Sequence, residues 1–465
     1  MKQRSLIYLT ALTGLFLSAC NKLIEIGTPQ NQLVTASVFT DTVTAESAVL
    51  GMYSKLANGY LGTDPGTATS LFNGLSADEG YHFSYTFYDD FKNNSLTPAT
   101  FYLGTYWSGF YNIIYTANSL IQGDSASPSL PAPYKARTIG EAKFVRAVCY
   151  FYLVNEYGAV PLVLTPDVNI SNTQPRDSAT KVYDQIEKDL TDALNVLPAS
   201  LSYYSGNRTR ATTWAANALL ARTCLYRNKW SQAAAAATAV INNPGLFSIN
   251  PDLTKVFLAN NSEGILQFVN ALTFSWMATN LGTSATAVTP NFVLSDSLYA
   301  SFETNDLRKT SWVGIKSYGN TNYPFPNKYR YNGGGSVEYA QLLRMSEQYL
   351  IRAEANTRLG NFSAAAADLN TVRSRAGLTN TTANDKPSLI AAIEHESRTE
   401  FFCEWGHRWL DLKRWPGVNN PAMTRADEVL SAAKGSQWQS TDALYPIPQQ
   451  ERNINPNLTQ NPGYN

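Results

Sequence analysis

The chain has 465 residues, enough for one large domain or for two to three smaller ones. Its 36 basic and 36 acidic side chains give a net charge of zero, which argues against a nucleic-acid-binding protein and against electrostatic docking to an anionic membrane, because both need a basic surface. Charged residues make up only 15% of the chain and hydrophobic residues 44%, a balance that excludes an intrinsically disordered protein.

Aromatic residues are abundant, whereas potential metal ligands are few. Tyrosine alone supplies 27 residues, beside 20 Phe and 9 Trp. Tyr and Trp combine a flat apolar face with a polar edge, which suits contacts with sugars and at protein interfaces. No pair among the four Cys has metal-ligand spacing and there are only three His, so we expect neither a Cys/His zinc site nor a cofactor.

The N-terminal segment has the features of an export signal. Lys2 and Arg4 precede an uncharged apolar run of 12 residues, 6–17, which is too short to cross a bilayer. Residues 17–20, Leu-Ser-Ala-Cys, look like a bacterial lipobox, in which the Cys is acylated. We therefore predict a signal peptide over 1–19 and a lipid anchor at Cys20; the alternative is an ordinary signal peptide with an incidental Cys.

Several later segments carry apolar residues at every third or fourth position, the pattern of a helix that packs through one face. This spacing predicts helices that cover 102–120, 145–152, 182–197, 214–225, 230–240, 342–353 and 362–376. The second of these is expected to end near Gly158 and the third at Pro198.

Two predicted helix pairs resemble each other at their turns. Residues 227–231 and 359–363 each place one aromatic residue at the turn and lead into an alanine run. This is typical of a tetratricopeptide helix–turn–helix unit of about 34 residues. The alternative is that any antiparallel helix pair needs small residues where the helices cross.

Two regions lack helical periodicity, 59–98 and 243–340. The second contains many prolines and the Gly333-Gly334-Gly335 run, with a short strand predicted over 264–269. Long ordered loops are uncommon and are usually functional. The fold class is therefore mostly α, with tetratricopeptide-like helix pairs, long loop-rich insertions and minor β structure.

The loop over 78–88 is the strongest candidate for a ligand surface, because so aromatic a loop either contacts a ligand or forms part of the core. Aromatic planes stack on the apolar faces of sugars, while amides and carboxylates bind the hydroxyl groups. In the insertion, Tyr318 is a further aromatic candidate. The ligand-binding hypothesis comprises Asp78, Tyr81, His82, Tyr85, Tyr88, Asn93, Trp276, Trp312 and Tyr323.

A glycoside hydrolase is the rival class, since it needs two carboxylates across a cleft. Asp78 and Glu79 are adjacent, so their side chains should diverge, whereas Glu400 and Glu404 lie one helical turn apart. Ion pairing within a scaffold explains these groups more simply. A phosphate-binding loop and a serine nucleophile elbow are both missing from the sequence.

Four stretches in order, 17–26, 141–163, 349–415 and 445–464, resemble the SusD/RagB family of surface glycan-binding lipoproteins. The most specific is 141–163, which contains Glu-Ala-Lys-Phe-Val-Arg-Ala and ends in Val-Pro-Leu-Val. One departure is Asn21-Lys22 directly after Cys20, where exported members often carry acidic residues.

The resemblance implies a helical fold with tetratricopeptide units, in which 20–242, an insertion over 243–340 and 341–465 form one integrated body. It implies a lipid anchor in the outer membrane, facing the exterior, and a SusC-type TonB-dependent transporter as partner. It also implies oligosaccharide binding without catalysis; a tetratricopeptide adaptor that binds no glycan is the remaining alternative.

The charged residues within these family stretches are expected to form ion pairs that hold helices together, because buried charges persist only when paired. They are Arg352, Glu354, Arg398, Glu400, Glu404, Arg408 and Asp411.

Overall fold

The computed structural model describes residues 38–57, 65–269, 276–283, 287–330 and 337–464. Cys20 and the predicted signal peptide lie outside these residues. Among the described helices, none is both long and apolar enough to cross a bilayer.

Helices make up most of the described chain, which confirms the predicted fold class. In chain order they are α1 (Thr42–Ala57), α2 (Pro65–Ser76), α3 (Asp89–Lys92), α4 (Phe101–Ala126), α5 (Ala132–Tyr157), α6 (Val168–Ser171), α7 (Ala179–Leu194), α8 (Thr213–Tyr226), α9 (Trp230–Ile241), α10 (Trp276–Leu281), α11 (Asp296–Ser301), α12 (Leu307–Trp312), α13 (Met345–Leu359), α14 (Phe362–Arg375), α15 (Lys386–Phe401), α16 (His407–Arg414), α17 (Arg425–Lys434) and α18 (Gln449–Ile454).

The described strands form small antiparallel two-stranded sheets. They pair β1 (Gly80–His82) with β3 (Phe292–Leu294), β2 (Gly264–Phe268) with β6 (Ala340–Arg344), and β4 (Val313–Tyr318) with β5 (Thr321–Pro326). The strand predicted over 264–269 is confirmed. The first two sheets join segments that are far apart in the sequence, so they tie the insertion to both helical parts.

Helix α5 is the central helix of the N-terminal part and packs against α4 and α7. It begins after Pro131, has Pro133 in its first turn, and ends at Gly158, whose φ of 69° suits a residue without a Cβ. Burial covers nearly its whole length, so its charged groups need partners. The Arg146 guanidinium, for example, forms an ion pair with Asp189 of α7 at 2.7 Å.

The two predicted helix pairs adopt the same turn. Asn228 and Gly360 both have positive φ, at 59° and 85°. The next residues, Lys229 and Asn361, have φ/ψ of −87°/64° and −87°/59°, and α9 and α14 start at the following aromatic residue. Helix α9 also packs on α13, so the two pairs stack as consecutive units. The repeat interpretation is thereby confirmed for α8–α9 and α13–α14.

Two local predictions were wrong. Leu342 belongs to β6 and not to the following helix, because 340–344 pair with β2 before α13 begins at Met345. The region 59–98 contains the helix α2, all of whose residues are buried. A helix that is surrounded on every side has no polar face, so its sequence shows no helical period.

A buried ionic network joins the insertion to the C-terminal helices. The Arg344 guanidinium contacts Glu263 at 2.9 Å, Glu400 at 2.5 Å and Glu404 at 2.8 Å. Arg308 pairs with Glu400 at 3.1 Å. Burial alone would raise the pKa of Glu400, but the surrounding guanidinium groups hold it well below its usual value.

The ion pairs expected from the family stretches are confirmed. Arg352 pairs with Asp368 at 2.7 Å, and Arg414 pairs with Glu354 at 2.6 Å. The first pair joins α13 and α14 across their shared turn, whereas the second joins α13 and α16, which are far apart in the sequence.

Replacing Arg344 by Met should destabilise the protein by about 3–5 kcal/mol, because three buried carboxylates, Glu263, Glu400 and Glu404, would each lose a cationic partner. The matched control is Lys188→Met, which removes an exposed pair with Asp192 and should cost less than about 1 kcal/mol. Urea unfolding of both variants measures the difference. Equal losses of unfolding free energy in the Arg344→Met and Lys188→Met variants would contradict the central role of the network.

Candidate functional site

Exposed and partly exposed aromatic side chains converge from three segments that are separate in the sequence: the loop over 81–88, the start of α4, and the β4–β5 hairpin. We call this set the aromatic surface. It comprises Tyr81, Phe83, Tyr85, Phe87, Phe101, Tyr102, Tyr318 and Tyr323.

One half of the aromatic surface lies where the loop meets α4. The Tyr85 and Phe87 rings stack with centroids 4.9 Å apart, and Phe87 stacks on Tyr102 at 5.5 Å. Phe101 lies edge-on to Tyr102 at 5.3 Å. Tyr85, Phe87 and Phe101 are 49%, 45% and 71% exposed, so large apolar areas face the solvent. Exposed aromatic clusters of this kind mark binding surfaces.

The other half is supplied by the hairpin. Phe83 contacts Tyr323 edge-to-face at 5.0 Å and Tyr318 at 6.2 Å. Tyr323 lies opposite Lys316 in the hairpin, so their side chains are on the same face of the sheet. Tyr318 is two residues after Lys316 on the same strand and therefore shares that face with Tyr323. Tyr318 is 53% exposed. The sequence predicted two separate candidate regions, and the structure brings them together here.

His82 holds the aromatic loop from below. Its imidazole is buried, and Nδ1 accepts a hydrogen bond from the Tyr85 backbone N–H at 3.2 Å. The ring also packs on Tyr85 and Tyr88, at 4.9 and 5.1 Å. Burial lowers the pKa of His82 to about 4, although the charge of Asp89 opposes this shift. The neutral imidazole therefore remains an acceptor at neutral pH.

The stem of the loop is fixed to the core by charge and by close packing. Asp78 pairs with Arg398 at 2.5 Å and with Arg408 at 2.9 Å. Burial would raise the pKa of Asp78, but these two guanidinium groups lower it to about 2. At Gly80, a Cβ would lie 2.0 Å from the Val293 carbonyl oxygen, so only glycine permits this strand contact. Asp78 thus positions the loop and does not line its exposed face.

Glu79 is buried next to the same stem. Its Oε2 accepts a hydrogen bond from the Cys403 backbone N–H at 3.1 Å. Burial raises the pKa of Glu79 to about 7. Of the adjacent carboxyl groups Asp78 and Glu79, one is held by arginines and the other lies in the core, so neither faces a substrate cleft.

The predicted ligand residues lie in different environments. Tyr81, Tyr85 and Tyr323 lie on the aromatic surface, whereas His82 and Tyr88 are buried beneath it. Asn93 is half-buried just after α3, and its backbone N–H donates to Asp89. Asp78 belongs to the stem, as described above. The side chain of Trp276 lies outside the described part of the chain.

Trp312 lies in the core rather than on a ligand surface. It is 0% exposed, and its indole N–H donates to the Leu253 carbonyl at 2.9 Å. The Lys328 ammonium packs over its ring at 4.9 Å. Removal of this ring would leave a large cavity beside the ionic network, so Trp312 stabilises the core. Because the ring is buried, we do not retain Trp312 as a ligand contact.

Sequence reasoning missed the contribution of α4. Its helical period placed Tyr102 in the core stripe, and Phe101 was not considered. Phe101 is out of phase with that stripe and lies at the first position of the helix. An aromatic residue out of phase with a buried stripe was the signal that could have found it.

The described residues offer binding chemistry rather than acid–base chemistry. Glu400 and Glu404, the pair considered for hydrolysis, are buried in the network around Arg344. Among the residues that the structure describes, no group of three or more His, Cys, Asp and Glu side chains is placed to hold a metal ion. What remains accessible is a set of aromatic faces and edges, with the Lys92 ammonium over the Tyr81 ring at 5.5 Å and Lys316 opposite Tyr323 in the hairpin.

Two family models match the chain one after the other. The model described as starch-binding and associating with the outer membrane matches residues 37–225, and the SusD family model matches residues 274–464. The chain belongs to the SusD/RagB family. A SusD-like protein of Bacteroides ovatus is 26% identical, over 89% of this chain and 82% of the relative.

Solved SusD-like structures share the fold. A SusD superfamily protein from Bacteroides vulgatus superposes with a TM-score of 0.80 at 20% identity, over 91% of this chain and 99% of the other. A laminarin-binding SusD-like protein superposes with a TM-score of 0.74 at 27% identity, over 91% of this chain and 100% of the other.

The His82 contact predicts a pH-dependent loop. The free imidazole titrates near 6.5 and the buried one near 4, so acid favours the open loop progressively between these values. Hydrogen–deuterium exchange of peptides that span 82–88 should show this loss of protection. In the His82→Asn variant, Oδ1 accepts the same hydrogen bond without titrating, so protection relative to wild type should rise as pH falls. If the wild type and the His82→Asn variant lose protection in parallel as the pH falls, the titration of His82 does not control the loop.

Proposed function

We propose that the protein binds a neutral glycan on the aromatic surface, without cleaving it, and passes it to a SusC-type TonB-dependent transporter. In this proposal Cys20 carries the lipid that anchors the protein to the outer membrane, with the body facing the exterior.

The observation that carries the proposal is the exposure of several aromatic rings on a rigid support. Sugar rings present apolar C–H faces, and aromatic side chains cover such faces while hydroxyl groups stay hydrated. The supporting loop is fixed by Asp78, Gly80 and His82, so little conformational entropy is lost on binding. The similarity to a laminarin-binding relative makes laminarin, a β-glucan, the first ligand to test.

The burial of the paired carboxylates favours binding over hydrolysis. A glycosidase needs two carboxyl groups that face the scissile bond. Asp78, Glu79, Glu400 and Glu404 are all buried and face arginines, a lysine or the backbone. A protein that retains sugars without cutting them suits delivery to a transporter.

Replacing Tyr85 or Phe87 by Ala should weaken laminarin binding about tenfold each, which corresponds to about 1.4 kcal/mol, because each removes a stacking face. Isothermal titration calorimetry with the body after Cys20 measures this. Tyr203→Ala is the matched control, since Tyr203 is an exposed tyrosine of the helical part, 58% exposed and outside the aromatic surface.

If all three variants and the wild type bind laminarin with equal affinity, the aromatic surface is not the binding site. If the wild type binds neither laminarin nor starch nor xylan, glycan binding itself is contradicted. Release of reducing sugar from laminarin by the purified protein would contradict the non-catalytic assignment.

A further inference from the structure

The helix α4 presents an unusual solvent-facing surface. Asp124 is the only charged residue among its 26 residues, and that carboxylate is buried and bonded to Thr138. Surface helices ordinarily carry charged residues on their solvent-facing side. Here the outward positions, spaced by three or four residues, carry hydroxyl, amide and phenol groups: Thr105, Ser108, Asn112, Tyr115, Ser119 and Gln122.

A groove of about 640 Å³ opens along the C-terminal half of this face. Tyr115, Ser119 and Gln122 form its floor, and residues 39–40, 126–129 and 166–167 form its walls. Tyr115 is 50% exposed, and Gln122 is also exposed. This volume lies within the range of small-molecule binding sites.

The walls of the groove are held in place by specific contacts. The Phe39 ring packs so closely on Gly123 that a Cβ there would lie 2.1 Å from it. The Ser127 hydroxyl donates to the Phe39 carbonyl at 2.7 Å and accepts from the backbone N–H groups of Ser129 and Leu130, both at 3.2 Å. The groove is therefore formed before any ligand arrives.

The lining selects a neutral, hydroxylated ligand. Among the described residues that line the groove, none is Lys or Arg, so phosphate and carboxylate groups would find no cation. The Asp167 carboxylate already accepts the Asn169 backbone N–H at 2.9 Å, as the cap of α6. Phe39, Pro128 and Pro166 give the groove apolar surfaces, and Ser119 and Gln122 add a hydroxyl and an amide, so the lining combines apolar and polar groups. The rings of Tyr115 and Phe39 beside hydroxyl and amide groups match the alternating faces and edges of a sugar.

We propose that this groove is a second binding site for a neutral oligosaccharide, separate from the aromatic surface. The inference takes its class of ligand from the proposed function, but its residues are different.

Helix α4 links the two sites. Phe101 of the aromatic surface and Tyr115 of the groove are 14 residues apart on one helix, a rise of about 21 Å. One polysaccharide could then occupy both sites at once, and the second contact would act at a high effective concentration. A long polymer should gain more affinity from the second site than a short oligosaccharide gains.

Calorimetry with laminarihexaose, maltohexaose and xylohexaose tests this proposal. For the sugar that binds, the wild type should show two sites per chain, and the Tyr85→Ala/Phe87→Ala double variant should keep only the groove site. Adding Tyr115→Ala should abolish that remaining site. Asn112→Ala, on the same helix face but outside the groove, is the matched control and should leave both sites intact.

The outcomes separate the two proposals. One site per chain, lost in the double variant and unaffected by Tyr115→Ala, would overturn the groove while supporting the aromatic surface. Binding that depends on Tyr115 alone would support the groove and contradict the aromatic surface. Normal sugar binding by Tyr115→Ala, with loss of co-purification with the transporter, would identify this face as a protein interface instead and overturn the sugar site.

Discussion

The rest of the structure depends on the buried ionic network centred on Arg344 and Glu400. It connects the strand pair β2–β6, the helices α12 and α14, and the end of α15. Charges this deep are stable only when each has its partners, so the network accepts one arrangement of these segments and penalises others. A loop-rich insertion thereby gains a fixed position against a helical repeat.

Buried ion pairs also position the candidate ligand surface. Arg398 and Arg408 extend from the C-terminal helices to Asp78, which lies only a few residues before the exposed rings of Tyr85 and Phe87. The loop of this candidate surface is therefore held by residues more than 300 positions away in the sequence. Rigid support from below leaves the aromatic faces free on the outside, which is the arrangement that stacking on a sugar requires.

Sequence reasoning predicted the helices well where one face is polar, as in α7 and α9, and it found the repeated turn at Asn228 and Gly360. It failed for α2, which is buried on all sides and has no amphipathic period. Aromatic loops pointed to the right regions, but composition cannot distinguish an exposed ring from a buried one. Trp312 and Tyr323 both lie in the insertion, yet Trp312 is buried and Tyr323 is partly exposed, because tertiary packing decides the side to which each points.

The central claim is that the loop over 81–88, the start of α4 and the β4–β5 hairpin act together as one glycan-binding surface. Hydrogen–deuterium exchange of the wild type with and without saturating laminarin tests it most directly. The account predicts added protection in peptides that cover 81–88, 101–106 and 318–323 in the same titration. Protection confined to other segments, with these three unchanged, would contradict it.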